Sequence, residues 1–162
     1  MGQRLNIEIL ENGKVLANSY YHWAGFTSSS LGLVSKIKEN IKSNYNNSKN
    51  YAIMLLESTG ASLEHKDRND GLIETTEEKI KQTQYWAEQT VKIHIDTKKI
   101  ELDLYHEMDD CDLEDEEIIE VDQDFFITDF DNIDSVNKSI YELLEDSKYY
   151  FNYKNKNYCF VA

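Results

Sequence analysis

This chain predicts an α+β fold: an antiparallel sheet of hairpins with two or three helices packed on one face. Three observations carry the prediction. Apolar and polar residues alternate in short runs near the start and in the middle of the sequence. Turn-forming pairs such as Asn12-Gly13 separate those runs. Stretches with helical spacing lie between and after them, which places helices on a sheet of hairpins.

Leu5, Ile7 and Ile9 alternate with polar neighbours over 4–10, the period of a strand. Asn12-Gly13 suits the two positive-φ positions of a tight turn, and 15–23 (VLANSYYHW) is the returning strand. After the loop AGFTSSS, serines at 28–30 are good caps for a helix over 30–44, with Leu31, Val34, Ile37 and Ile41 on one stripe. SNYNNSKN is a loop by composition, and YAIMLLE (51–57) reads as a buried helix segment ending near Thr59-Gly60. A polar loop leads to a turn at Asn69-Asp70-Gly71, and 76–88 reads as a helix in which Ile80, Thr83, Tyr85 and Trp86 make apolar contact.

The clearest hairpin follows. Val91, Ile93 and Ile95 share one face, the chain turns at Lys98-Lys99, and Ile100, Leu102 and Leu104 return on the same face. Lys92, His94, Glu101, Asp103 and Tyr105 point the other way. EMDDCDLEDEE reads as an exposed loop, and EEIIEVDQDFFITDF returns to strand character through Ile119, Val121, Phe125 and Ile127. Asp134 or Ser135 caps a final helix over 135–147, with Val136, Ile140, Leu143 and Leu144 inward. The tail is a last hairpin turning at 155–157, and neither a linker nor a repeat divides the 162 residues, so a single domain is expected.

Charge is distributed unevenly along this fold. Residues 1–100 carry 13 Lys/Arg against 12 Asp/Glu, whereas 101–162 carry 4 against 19. From Glu101 to Asn137 there is no Lys or Arg, but there are 16 carboxylates. Such a stretch repels itself. With a net charge of −14, direct nucleic-acid binding is not expected, because phosphate contacts need Lys and Arg. The 11 Tyr, 6 Phe and 2 Trp argue against disorder. Cys111 and Cys159 lack metal-site or redox spacing and read as two reduced thiols. The start lacks the apolar core of a secretory signal, and no apolar run approaches a membrane span, so a cytoplasmic protein is expected.

Four constellations bear on chemistry. Tyr21, His22 and Trp23 run into Thr27, Ser28, Ser29 and Ser30, so aromatic stacking and free N–H groups at a helix start would hold a nucleotide, helped by Arg68. The same residues serve equally as core packing and helix caps. His22, His65, His94 and His106 lack the accompanying nucleophile or ligand spacing that hydrolysis or zinc would need. Counting from Asp110, the acidic loop has Asp115 and Val121 where an EF-hand needs Gly and Glu, so neither metal nor other cofactor is expected. The fourth is the acidic stretch as an interaction face. Glu101, Asp103, Asp109, Asp110, Asp112, Glu114, Glu116, Glu117, Glu120, Asp122 and Asp124 would present charge, spaced at about 6.6 Å along two neighbouring strands. Tyr105, Phe125 and Phe126 would be its apolar anchors. A solvated face that only confers solubility is the plain alternative.

The strings MGQRLNIEI, NGKVLANSYYHWAGFTSSSL, DRNDGLIETT and WAEQTVKIHID resemble small accessory proteins of phages and prophages in Gram-positive bacteria, over roughly the first hundred residues. The resemblance implies a context of blunting host defences by mimicking DNA, blocking an effector or sequestering a nucleotide signal. The expected function is therefore a non-enzymatic anti-defence inhibitor. Its acidic, DNA-mimicking face would bind a basic host protein that handles nucleic acid or serves immunity. A nucleotide sponge built on residues 20–30 is the alternative. A second copy of the chain is a further candidate partner.

Overall fold

Positive φ at Asn12 (53°) and Gly13 (74°) closes the first hairpin where the sequence places it. β1 (Leu5–Glu11) and β2 (Lys14–Tyr21) pair antiparallel, with a register shift between Ile9 and Leu10. The architecture is taken from a computed structural model, which describes residues 3–64, 70–108 and 118–161. It is α+β, with mostly antiparallel strands.

β1 has a second neighbour. β4 (Gln89–His94) runs parallel to it, with Leu5 opposite Gln89 and Ile9 opposite Ile93. Parallel neighbours need a crossover. Here α1 (Thr27–Lys38), α2 (Ser48–Glu57), β3 (Leu72–Glu74) and α3 (Glu77–Trp86) lie in the intervening chain. β5 (Lys99–Asp103) turns back beside β4 through Lys98, whose φ is 59°. With β8 (Ile127–Asp129) the strand order of this six-stranded sheet is β3-β2-β1-β4-β5-β8.

The chain leaves that sheet at Leu104. β6 (Tyr105–Glu107) belongs to a second sheet of order β6-β10-β9-β7, with β7 (Ile118–Glu120), β9 (Tyr150–Tyr153) and β10 (Lys156–Phe160). The strand character expected within 116–130 is thus divided between two short strands in different sheets, separated by a 3-10 turn at Gln123–Phe125. The tail hairpin turns at Lys154 and Asn155, both with positive φ, slightly before the expected position. α4 (Ile133–Glu145) packs against α1 and β8.

Leu5, Ile7, Ile9, Val91, Ile93 and Ile100 are completely buried, together with Leu31, Val34 and Ile37 of α1 and Leu55 and Leu56 of α2. Each such side chain contributes about 1.5–3 kcal/mol when removed from water, so this layer dominates the stability of the fold. α1 begins three residues earlier and ends six residues earlier than the sequence predicts. Ser30 does not cap; its hydroxyl donates to the carbonyls of Ala24 and Phe26. α2 starts at Ser48, three residues before the expected helix segment, because the Asn47 side chain caps it by accepting from the Asn50 N–H at 2.9 Å.

The opposite face of β1 and β2 is buried as well, although it is polar. Asn6, Glu8 and Asn18 alternate with the apolar residues, and α3 covers them. Asn18 Nδ2 donates to Asn6 Oδ1 at 2.5 Å and to Thr83 Oγ1 at 2.7 Å, and Gln84 Nε2 donates to Glu8 Oε1 at 2.5 Å. No helix among the described residues is long and apolar enough to cross a membrane.

Gly71 occupies a position that no other residue fits. Its φ is +103°, and a Cβ there would lie 2.5 Å from Tyr21 Cε1 and 2.9 Å from Ala61 Cβ. Gly71→Ala is expected to cost at least ~2 kcal/mol, from overpacking together with a left-handed backbone. Urea denaturation measures it, and a loss below ~0.5 kcal/mol, the range of a neutral surface change, would contradict the packing described.

Candidate functional site

Strand register places polar residues in rows across the six-stranded sheet, on the face away from α1 and α2. One row runs Glu74, Asn18, Glu8, Lys92, Glu101, Ile127; the next runs Tyr20, Asn6, Thr90, Asp103. α3 covers the β1–β2 half of these rows. On the β4–β5 half, Lys92 and Asp103 are exposed, and Thr90, His94 and Glu101 are half-buried. His94 Nε2 and Glu101 Oε2 are 2.6 Å apart, a diagonal contact between neighbouring strands.

Where the chain passes into the second sheet, this open half meets a cleft of about 230 Å³ lined by Thr90, Lys92, Glu101, Asp103, Tyr105 and Phe126. Aromatic side chains form its wall. The Tyr105 ring lies 4.9 Å from Phe126, 5.5 Å from Phe151 and 4.9 Å from Tyr158, each edge to face. Tyr153 closes on Phe126 at 5.1 Å. Burial pushes the Tyr105 phenol up to about 12, and the charge of Asp103 adds to the shift, so its hydroxyl remains a donor at neutral pH. Although Asp103 is open to water on its outer side, the cleft wall strips part of its hydration and raises its carboxyl, against the opposing pull of Lys92 and His106.

The structure therefore brings Glu101, Asp103 and Tyr105 together, as the sequence suggests, and corrects the rest of that picture. The two rows of carboxylates do not stand on neighbouring strands. β5 pairs with β4 and β8, whereas β7, which carries Glu120, pairs with β9 in the other sheet. Glu120 and Asp122 are exposed. Asp124 lies in the 3-10 turn, and its side chain is outside the described part. Asp109, Asp110, Asp112, Glu114, Glu116 and Glu117 lie outside the described residues. Phe126 is only 5% exposed, so it forms the cleft floor and is not an anchor that reaches outward; Phe125 is half-buried. Lys92 places a positive charge within the face. Its orientation is legible from strand alternation, but its place beside Tyr153 and Phe126 depends on the change of sheet at Leu104, which no local signal marks.

The aromatic and serine segment has a mainly structural geometry. Tyr21 is 1% exposed; its hydroxyl accepts from Ser19 Oγ at 3.0 Å and is hydrogen-bonded to Thr59 Oγ1. The Thr27 hydroxyl and N–H both donate to the Val161 carbonyl, each at 2.7 Å. The hydroxyls of Tyr21, Thr27 and Ser30 are thus committed within the protein and are not free for a ligand, contrary to the expectation for them. Ser28 and Ser29 are exposed, and Trp23, half exposed, meets the ring of His22 edge to face at 5.3 Å. Tyr21, Trp23, Ser29, Thr59 and Asp70 line a cavity of about 210 Å³. Small-molecule sites usually begin near ~300 Å³, and the carboxylate of Asp70 would oppose a phosphate. Arg68 lies outside the described residues, as does Cys111.

No group of three His, Cys, Asp or Glu among the described residues is placed to hold a metal ion. No protein-family model, curated protein or solved structure matches the chain.

The raised Asp103 carboxyl gives a test with a definite sign. Its ordinary value is 3.8, and the folded value is higher, so the folded state binds the proton more tightly between the two. The resulting stabilisation is complete below the unfolded value and is lost as pH rises through the folded one. Asp103→Asn should therefore gain stability relative to the parent between pH 3 and pH 7, by less than about 1 kcal/mol because the side chain is exposed. Urea denaturation at both pH values checks this; a relative loss at pH 7 contradicts it.

Proposed function

We propose that this chain is a non-enzymatic inhibitor of phage type, acting in the host cytoplasm by binding a basic surface of a nucleic-acid-handling or defence protein. The observation that carries the reading is the absence of Lys and Arg from 101–137 alongside 16 carboxylates, with Glu101 and Asp103 at the mouth of an aromatic cleft. Charge of one sign steers a basic partner and raises the rate of encounter more than the affinity. Affinity needs apolar area, and Tyr105 and Tyr153 at the cleft offer it beside the charge. Glu120 and Asp122 extend the negative surface onto the second sheet. Glu101 and Asp103 stand about 6.6 Å apart on one face of β5, a pair of like charges side by side. The phage context rests on the resemblance in the first hundred residues.

The reading predicts that the tagged protein captures a basic protein from a host lysate at low salt. The combined substitutions Glu101→Lys, Glu120→Lys and Asp122→Lys should reduce its recovery by about tenfold or more, the effect of placing like charges against each other across an interface. Unchanged recovery with the three reversals, or capture of an acidic protein, would overturn the proposal.

A further inference from the structure

β3 is too short to cover β2. It pairs only with Asn18, Ser19 and Tyr20, after which the chain turns into α3. No strand among the described residues therefore lies beside 14–16 on that side of β2. α2 and α3 both pack against β2, and a cavity of about 600 Å³ remains where the three elements meet. Small-molecule sites commonly span ~300–1,000 Å³. In the sheet, β1 and β4 separate this cavity from β5 and the acidic cleft.

The lining combines two chemistries. Val15, Leu16 and Ile80 supply apolar surface; Ile80 is buried and the other two are half-buried. Lys14 of β2, Lys49 of α2 and Lys81 of α3 are exposed and bring three ammoniums to the same cavity. Lysine stems often cover apolar surface by themselves, but here a cavity stays open between three of them. Lys14 and Lys49 form no ion pair among the described residues. Lys81 lies 3.1 Å from Glu77, the only carboxylate on the lining, and both side chains are largely exposed, so the pair is weak. The carboxylate of Glu11, which faces Lys14 in the strand register, is already engaged. It accepts from the Tyr45 hydroxyl at 3.0 Å and the Ser48 hydroxyl at 2.7 Å. In a chain of net charge −14, this lining is positive, and Thr75 adds a hydroxyl to it.

We propose that this cavity binds an amphipathic phosphomonoester, with its apolar body on Val15, Leu16 and Ile80 and its phosphate at the lysine ammoniums. Such a phosphate carries about −1.5 to −2 charges at neutral pH. Each ammonium offers three donors and no acceptor, and lysine meets phosphate as a point charge without a fixed planar geometry. A carboxylate on the same body brings less charge to the three ammoniums. Inorganic phosphate leaves the apolar surface in water. The site lies apart from the acidic face and does not rest on the inhibitor reading.

The test is a titration of the ¹⁵N-labelled full chain with octyl phosphate, kept below its micellar range and followed by NMR. Salt is held at about 0.15 M, where repulsion by the net charge is screened beyond about 8 Å. The expected shifts fall on 14–16, Lys49 and 75–84. Octyl phosphate should bind about tenfold or more tightly than inorganic phosphate, because only it buries an apolar chain. It should also bind about threefold or more tightly than octanoate, which has the smaller charge. Lys14→Gln with Lys49→Gln, both exposed positions, should weaken octyl phosphate by about fivefold or more while leaving the rest of the spectrum in place. Equal binding to that variant would overturn the proposal, as would inorganic phosphate binding as tightly as octyl phosphate. Shifts spread equally over Lys38, Lys42 and Lys98, or none at 14–16 and 75–84, would overturn it too.

Discussion

The parallel pairing of β1 with β4 is the contact on which the rest of this structure depends. It joins strands 84 residues apart and places the first hairpin beside the second. Loop closure over that length costs conformational entropy before any contact offsets it. The contacts that offset it are fully buried: Leu5, Ile7 and Ile9 on one strand against Val91 and Ile93 on the other. The entry to the pair is fixed by polar bonds. The Arg4 N–H donates to Glu88 Oε2 at 2.6 Å, and the Arg4 guanidinium meets Glu88 Oε1 at 2.6 Å. Burial raises the Glu88 carboxyl, but the Arg4 hydrogen bonds outweigh it and hold the group below its ordinary range.

With β1 central, both faces of the sheet must be accounted for. The apolar face is closed by α1 and α2. The polar face is closed only in part, because α3 covers β1 and β2 by hydrogen-bonding to Asn18 and Glu8. The rest of that face ends at the aromatic wall formed as the chain passes from β5 into β6. One strand therefore supplies core residues through Ile100 and Leu102 and the charged rim of the cleft through Glu101 and Asp103. The period-2 geometry of a strand produces both functions from adjacent residues.

The parts of the fold that depend on local rules are legible in the sequence. Asn12-Gly13 marks its turn because both residues take positive φ, and the alternation of 91–95 with 100–104 gives the second hairpin its inward face. Parts governed by distant contacts are not. Nothing near Leu104 announces a change of sheet, because the same alternation continues through Tyr105. The run 116–130 looks like one strand since Ile119, Val121, Phe125 and Ile127 keep a strand-like pattern, yet its ends pair with β9 and β5 in different sheets. Serines 28–30 carry the signature of a cap, but the Ser30 hydroxyl finds nearer carbonyls behind it. At the candidate site, Glu101, Asp103 and Tyr105 were readable from alternation, whereas Tyr153 joins them only through the tertiary fold.

The central claim is that the acidic part of this molecule is a binding surface held together with its partner by charge. Native mass spectrometry of the protein purified from a host lysate tests it most directly, with the spectrum recorded at increasing ammonium acetate concentration. The account predicts a complex with a basic protein that dissociates as salt screens the interaction over a Debye length falling from about 30 Å at 0.01 M to about 10 Å at 0.1 M. A complex that persists unchanged across that range, or a bound mass the size of a nucleotide in place of a protein, would contradict it.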